Sequence, residues 1–241
     1  MDIPHSTRKF KLKNPYKPDE DIVQEVVIGR EPFYNYEDSA WVSIDTEFLS
    51  LQLPYDQLCT IQIASPDPED PGYMRVEIIW VWESLKTATI QVLQKFLVGL
   101  LTRKDIEIIM HVCSADLPRI EKLAFLEYKG KLFDTKVAAK IVMTNTNDHS
   151  MENIINSLIK PNFSKDKSRT SAQWDLAPEY WEDKMIEYAM NDVIYLHPAK
   201  LALERIAQRR GTGEILSDVM SIMPTIAHLH TRGYDESVLH Y

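Results

Sequence analysis

A chain of 241 residues, 44% of them hydrophobic, can bury one sizeable core. A formal net charge of −9 argues against a broad basic face that wraps a long nucleic acid, because non-specific phosphate binding scales with Lys and Arg contacts; it leaves open a grip on a chain end alone. Cys59 and Cys113 stand near neither a second cysteine nor a histidine pair at zinc spacing, so no zinc site and no disulfide framework is expected, and both read as small core residues in a reducing compartment.

Residues 1–20 are polar and carry Lys9, Lys11, Lys13, Pro15, Lys17 and Pro18. They read as an extended, partly mobile segment, without the apolar run of a signal peptide. Strands are predicted at Trp41–Asp45, Leu58–Ala64, Val76–Trp82, Ile106–Met110 and Lys131–Phe133. Pro66, Pro68 and Pro71 mark a turn between the second and third of these, since prolines cannot continue a ladder. Lys86–Arg103 is amphipathic, with Val92, Leu93, Phe96, Leu97, Leu100 and Leu101 on one side. Its most apolar part, Ile90–Leu101, is too short to cross a bilayer, so a soluble cytoplasmic protein with no membrane partner is expected.

Further helices are predicted at Leu117–Phe125, Thr135–Thr144 and Met151–Ile159. A long run from Pro178 to Gln208 reads as helical with a break near Pro198. Three strands in succession, then strands alternating with helices, predict an α/β protein: one mixed sheet with helices on both faces. The domain is expected over residues 21–210, with 211–241 a helical extension packed on it.

Asp45-Thr46-Glu47 closes the apolar run Trp41-Val42-Ser43-Ile44. On a strand, residues i and i+2 share a face, so both carboxylates meet at one spot. Two close like charges repel, and a divalent cation between them makes the arrangement favourable. For a lone D-x-E, a strand end with two solvated acids is the commoner arrangement. Here, however, Tyr188 and Asp192 lie at i and i+4 on one helix face, and Asp116 stands where a helix begins after the strand Ile106–Met110. Asp134, before the helix at Thr135, is expected to cap it through the Lys136 or Val137 N–H rather than bind metal.

D-T-E, a middle Asp after a strand and Y-x-x-x-D on a late helix resemble the tyrosine (DEDDy) branch of the DEDD 3′-5′ exonuclease superfamily. Asp56-Gln57-Leu58-Cys59-Thr60-Ile61-Gln62, Phe133-Asp134-Thr135-Lys136, Trp174 and the run from Tyr188 to Leu196 are similar to the ribonuclease D family. They most resemble its short bacterial members, without helical RNA-binding domains. The resemblance covers the chain from about Trp41 onward and implies a ribonuclease-H-like sheet.

It also implies two divalent ions, Mg²⁺ or Mn²⁺, held by Asp45, Glu47, Asp116 and Asp192, with Asp45 bridging and Asp116 on the second ion. Such a pair, about 3.5–4 Å apart, makes a bound water more acidic and stabilises the leaving oxygen of a phosphodiester. Tyr188 then aims the attacking water, since a free phenol with a pKa of about 10 is a poor base at neutral pH. Among substrate contacts, Leu49 and Phe48 are candidates to wedge against the terminal base. His111 matches a histidine common in the family, with packing at the strand end its competing role. Lys165, Lys167 and Arg169 precede Trp174 in a loop expected to reach the site, where the family usually carries Ser-Asp-Trp and this chain has Ala172-Gln173-Trp174.

The expected function is removal of nucleoside 5′-monophosphates from the 3′ end of single-stranded RNA, with DNA as a further substrate. A DNA-directed exonuclease is one alternative. A nucleic-acid-binding scaffold on the same fold is another, against which all four carboxylates and the tyrosine are retained. Nothing in the sequence assigns an oligomeric state.

Overall fold

Alternation of buried and exposed residues sets the first strand pair. In β2 (Asp21–Gly29), Ile22, Gln24 and Val26 are buried while Asp21, Val23 and Glu25 face solvent, the pattern of a half-covered antiparallel strand. β1 (Ser6–Lys13) pairs with it along its whole length, from Ser6 opposite Ile28 to Lys13 opposite Asp21. The lysines of the N-terminal segment are therefore the solvent row of an edge strand, with Lys9 against Glu25 and Lys13 against Asp21. The segment is extended, as expected, and its strand joins the sheet. The protein was studied as a computed structural model, which describes residues 5–49, 57–70, 72–84, 89–164 and 174–234.

β3 (Trp41–Phe48), β4 (Leu58–Pro66) and β5 (Met74–Trp80) form an antiparallel meander, and β6 (Glu107–Met110) and β7 (Lys131–Asp134) add parallel strands beyond β3. The sheet order is β1-β2-β5-β4-β3-β6-β7. From Leu58 to Ser65 every residue of β4 is buried, so both faces of the sheet are covered. The helices are α1 (Val81–Ser84), α2 (Thr89–Leu101), α3 (Cys113–Ala124), α4 (Thr135–Val142), α5 (Met151–Leu158), α6 (Asp183–Ile194), α7 (Leu196–Arg210) and α8 (Gly213–Thr231). The architecture is the mixed α/β sheet expected.

One boundary differs from expectation. β5 ends at Trp80, and Trp82 falls in α1 rather than in the strand. The long helical run breaks at Tyr195, close to Pro198 as expected, and Pro198 lies in the first turn of α7. A proline is tolerated there because first-turn N–H groups have no intrahelical acceptor. α8 packs against α3, β7 and α7. The Thr231 hydroxyl donates to the buried Glu121 carboxylate at 2.6 Å, tying the end of α8 to α3. Among the described residues, no helix is long and apolar enough to cross a membrane.

The segment entering β3 is held by one buried acid. Glu77, 1% exposed on β5, accepts from the Phe33 N–H at 2.7 Å and the Tyr36 hydroxyl at 2.6 Å. Burial pushes its carboxyl up to about 7, against the lowering effect of these hydrogen bonds. Glu77→Ala strips both donors of this acceptor and is expected to cost about 2–3 kcal/mol. Urea denaturation should show a lower midpoint with an unchanged slope, whereas an unmoved midpoint would mean that water replaces the carboxylate.

Candidate active site

The centre is assembled by β3 and α6. Ile186, Ala189, Met190 and Val193 are buried and seat α6 on β3, β4 and β5. That seat turns Tyr188 and Asp192 toward the strand face that carries Asp45 and Glu47. One carboxylate oxygen from each of Asp45, Glu47 and Asp192 lies within 4.8 Å of the others. Glu47 is 8% exposed and Asp192 6%, so water does little to dilute their mutual repulsion. Converging carboxylate oxygens are a donor set suited to Mg²⁺ or Mn²⁺, which prefer hard oxygen ligands.

Tyr188 is buried and hydrogen-bonded to Asp192. Burial first, then the charges of Asp192, Glu47 and Asp45, hold its phenol far above its ordinary pKa of 10. In the metal-free site the phenol is therefore protonated at neutral pH and is a hydrogen-bond donor.

Asp116 occupies the first turn of α3 and is 4% exposed. It stands outside the group of three. The Thr46 hydroxyl donates to its Oδ1 at 2.5 Å, and Thr46, between the two β3 acids, points to the opposite face of the strand. Burial raises the Asp116 carboxyl to about 7, against the Thr46 hydrogen bond and the Arg119 charge, which both lower it. Four of the five expected site residues thus converge, and Asp116 reaches β3 by way of Thr46.

The metal-free protein should register this buried acid. A carboxyl raised in the folded state binds protons that the unfolded chain has released near pH 4. Its contribution to stability is therefore lost as pH rises from about 4 to about 7. His197, lowered to about 4 by burial, works in the opposite sense over much of the same range, so the comparison needs a variant. In EDTA, Asp116→Asn should gain stability relative to wild type across that interval, read by calorimetry at each pH. A pH-independent difference would contradict the raised value.

The turn before α3 carries a strain that the sequence does not mark. Val112 has φ 67°, a left-handed conformation that is a genuine outlier for a β-branched residue. Asp134 accepts from the Cys113 N–H at 2.7 Å through one oxygen and from the Lys136 and Val137 N–H groups through the other. It caps α4, as expected, and also pins the strained turn that positions Asp116. His111, at the end of β6, places Nδ1 2.9 Å from the Thr135 hydroxyl.

The Phe48 ring lies under the Arg119 guanidinium at 3.6 Å, while Leu49 is 47% exposed. Lys165, Lys167 and Arg169 lie outside the described residues. The preceding D-T-E alternation could have revealed Thr46; no sequence signal marks Val112 or the Arg119–Phe48 contact.

A mixed sheet that gathers three carboxylates and a tyrosine between β3 and α6 has the form of a carboxylate-centred nuclease. The family model described as 3′-5′ exonuclease matches residues 28–208, and the chain belongs to that family. It is 26% identical over 188 residues to ribonuclease D of Bartonella henselae, covering 77% of this chain and 41% of the relative. The chain thus spans about two-fifths of the length of that curated relative. Brucella melitensis NrnC, solved bound to pGG, superposes with a TM-score of 0.69 at 30% identity, over 86% of this chain and 92% of NrnC. The same protein has been solved with bound Mg²⁺, at a TM-score of 0.68. Escherichia coli RNase D, at 21% identity and a TM-score of 0.60, covers 79% of this chain and 45% of its own, and shares the fold. The ribonuclease D resemblance read from the motifs is borne out.

Proposed function

We propose that this protein is a metal-dependent 3′→5′ exonuclease that trims single-stranded RNA and releases nucleoside 5′-monophosphates. The observation that carries the reading is the convergence of Asp45, Glu47 and Asp192 within 4.8 Å beside Tyr188. The Mg²⁺ and pGG complexes of the Brucella relative support a divalent ion and a short strand in such a site.

Asp45, Glu47 and Asp192 would hold two Mg²⁺ or Mn²⁺ ions, and Asp116, outside that group, would reach the second ion through water. When bound, such ions make an attacking water more acidic and stabilise the departing oxygen. Tyr188 would aim that water at phosphorus, opposite the 3′ oxygen that leaves. The phosphate stays on the released nucleotide. Leu49 faces the terminal base, and Arg119 fixes Phe48 behind it.

Side-by-side digestion of RNA and DNA oligomers of one sequence, with products resolved by chromatography, tests the proposal. Nucleoside 5′-monophosphates, released faster from RNA, are expected. Nucleoside 3′-monophosphates would overturn the assigned attack, and faster release from DNA would move the substrate class to DNA ends.

A further inference from the structure

Two polar side chains of β4, Thr60 and Gln62, have no part in the ion set, yet both are 0% exposed. Thr60 stands opposite Glu47 in the β3–β4 register, and Gln62 stands opposite Asp45. Opposite residues of an antiparallel pair share a face, with Cβ atoms about 4.5–5.5 Å apart. Both side chains therefore lie on the carboxylate face, which α6 covers. Across on β5 their neighbours are Trp80 and Ile78, and Val76 extends the same face. Apolar residues would fill the two places, as they do on β5, without the cost of burying polar atoms.

Gln62 Nε2 donates to Thr60 Oγ1 at 2.7 Å, and Gln62 Oε1 has no hydrogen-bond partner among the described residues. The amide is thus spent on holding the threonine oxygen. A threonine hydroxyl has one proton to give, and with its oxygen engaged by Gln62 that proton is left for a cross-strand acceptor. On the β5 side, Trp80 offers only an N–H, committed to the Trp174 carbonyl at 3.2 Å. On the β3 side stands the Glu47 carboxylate.

We propose that Thr60 and Gln62 are positioning residues for Glu47. Gln62 orients the Thr60 hydroxyl, and that hydroxyl donates to the Glu47 carboxylate. Glutamate turns about several side-chain bonds, and Asp45 and Asp192, whose oxygens come within 4.8 Å of its own, repel it. A lysine in place of Thr60 would hold the carboxylate by charge and compete with a divalent ion for it. A neutral hydroxyl holds it without competing and leaves an oxygen for the ion. Removing such a partner of a metal ligand typically costs roughly ten- to a hundredfold in metal affinity. The proposal rests on the metal-dependent reading.

Mn²⁺ binding, read from the paramagnetic resonance of the free ion, tests it on Thr60→Val, Thr60→Ser and the double variant Thr60→Val/Gln62→Leu. Valine keeps the shape of threonine and loses the hydroxyl; serine keeps the hydroxyl. Thr60→Val is expected to bind Mn²⁺ about tenfold more weakly, and Thr60→Ser to bind it as wild type does. The double variant should bind as weakly as Thr60→Val, because Gln62 acts through Thr60. In EDTA it should melt no lower than wild type, since both partners of a buried hydrogen bond become apolar together; this separates lost positioning from a lost fold. Excess Mn²⁺ should restore hydrolysis of a labelled RNA by Thr60→Val.

Wild-type Mn²⁺ affinity in Thr60→Val and in the double variant overturns the proposal alone. Binding by Thr60→Ser as weak as that of Thr60→Val would assign the effect to the threonine methyl and overturn it equally. If wild type itself binds no Mn²⁺, the metal-dependent reading fails and the proposal falls with it.

Discussion

Asp45→Asn is expected to lower the hydrolysis rate by about a thousandfold or more, since the ions it helps hold contribute several kcal/mol to the transition state. The same substitution should raise the thermal stability of the metal-free protein. Asp45, Glu47 and Asp192 crowd within 4.8 Å, with two of the three buried. Removing one like charge from such a group relieves repulsion on the order of 1–3 kcal/mol. Divalent ions should reverse the order, stabilising wild type more than the variant. Calorimetry in EDTA and again in Mn²⁺ reads both effects. A metal-free variant less stable than wild type would show that Asp45 serves packing rather than ion binding.

Tyr188→Phe separates orientation from base catalysis. In the metal-free site, burial and three neighbouring carboxylates hold the phenol above its ordinary pKa. Loss of the hydroxyl is expected to lower kcat about a hundredfold, the cost of a misplaced attacking water, with little change in KM. The pH–rate profile of Tyr188→Phe should keep the shape of the wild-type profile. A limb that vanishes with the hydroxyl would show instead that Tyr188 titrates as the base.

The carboxylate centre could be read from sequence because its geometry is local once the elements are known. Period-two alternation puts Asp45 beside Glu47, and one helical turn puts Tyr188 beside Asp192. What lay outside that reading depends on contacts distant in the chain. β1 and β2 escaped notice because the covered row of β2 includes Gln24, whose amide donates to the carbonyls of Glu25 and of the distant Met74, each at 2.8 Å. The alternation therefore lacked an apolar signature, and the lysines of β1 look like those of a solvated tail. Asp116 was recognised as a helix-start acid, but its place relative to the other carboxylates depends on Thr46 and on a strained Val112. The break near Pro198 was legible because a proline fits the first turn of a helix and not its interior.

The central claim is that these carboxylates run a metal-dependent attack on the 3′ end of a single strand. A 5′-labelled single-stranded RNA, incubated with wild type and with Asp45→Asn in Mn²⁺ or Mg²⁺, and with wild type in EDTA, tests it most directly. The account predicts a ladder shortening from the 3′ end with wild type and metal, and intact RNA in EDTA or with the variant. No shortening by well-folded wild type in either metal, or shortening that persists in EDTA or in Asp45→Asn, would contradict it.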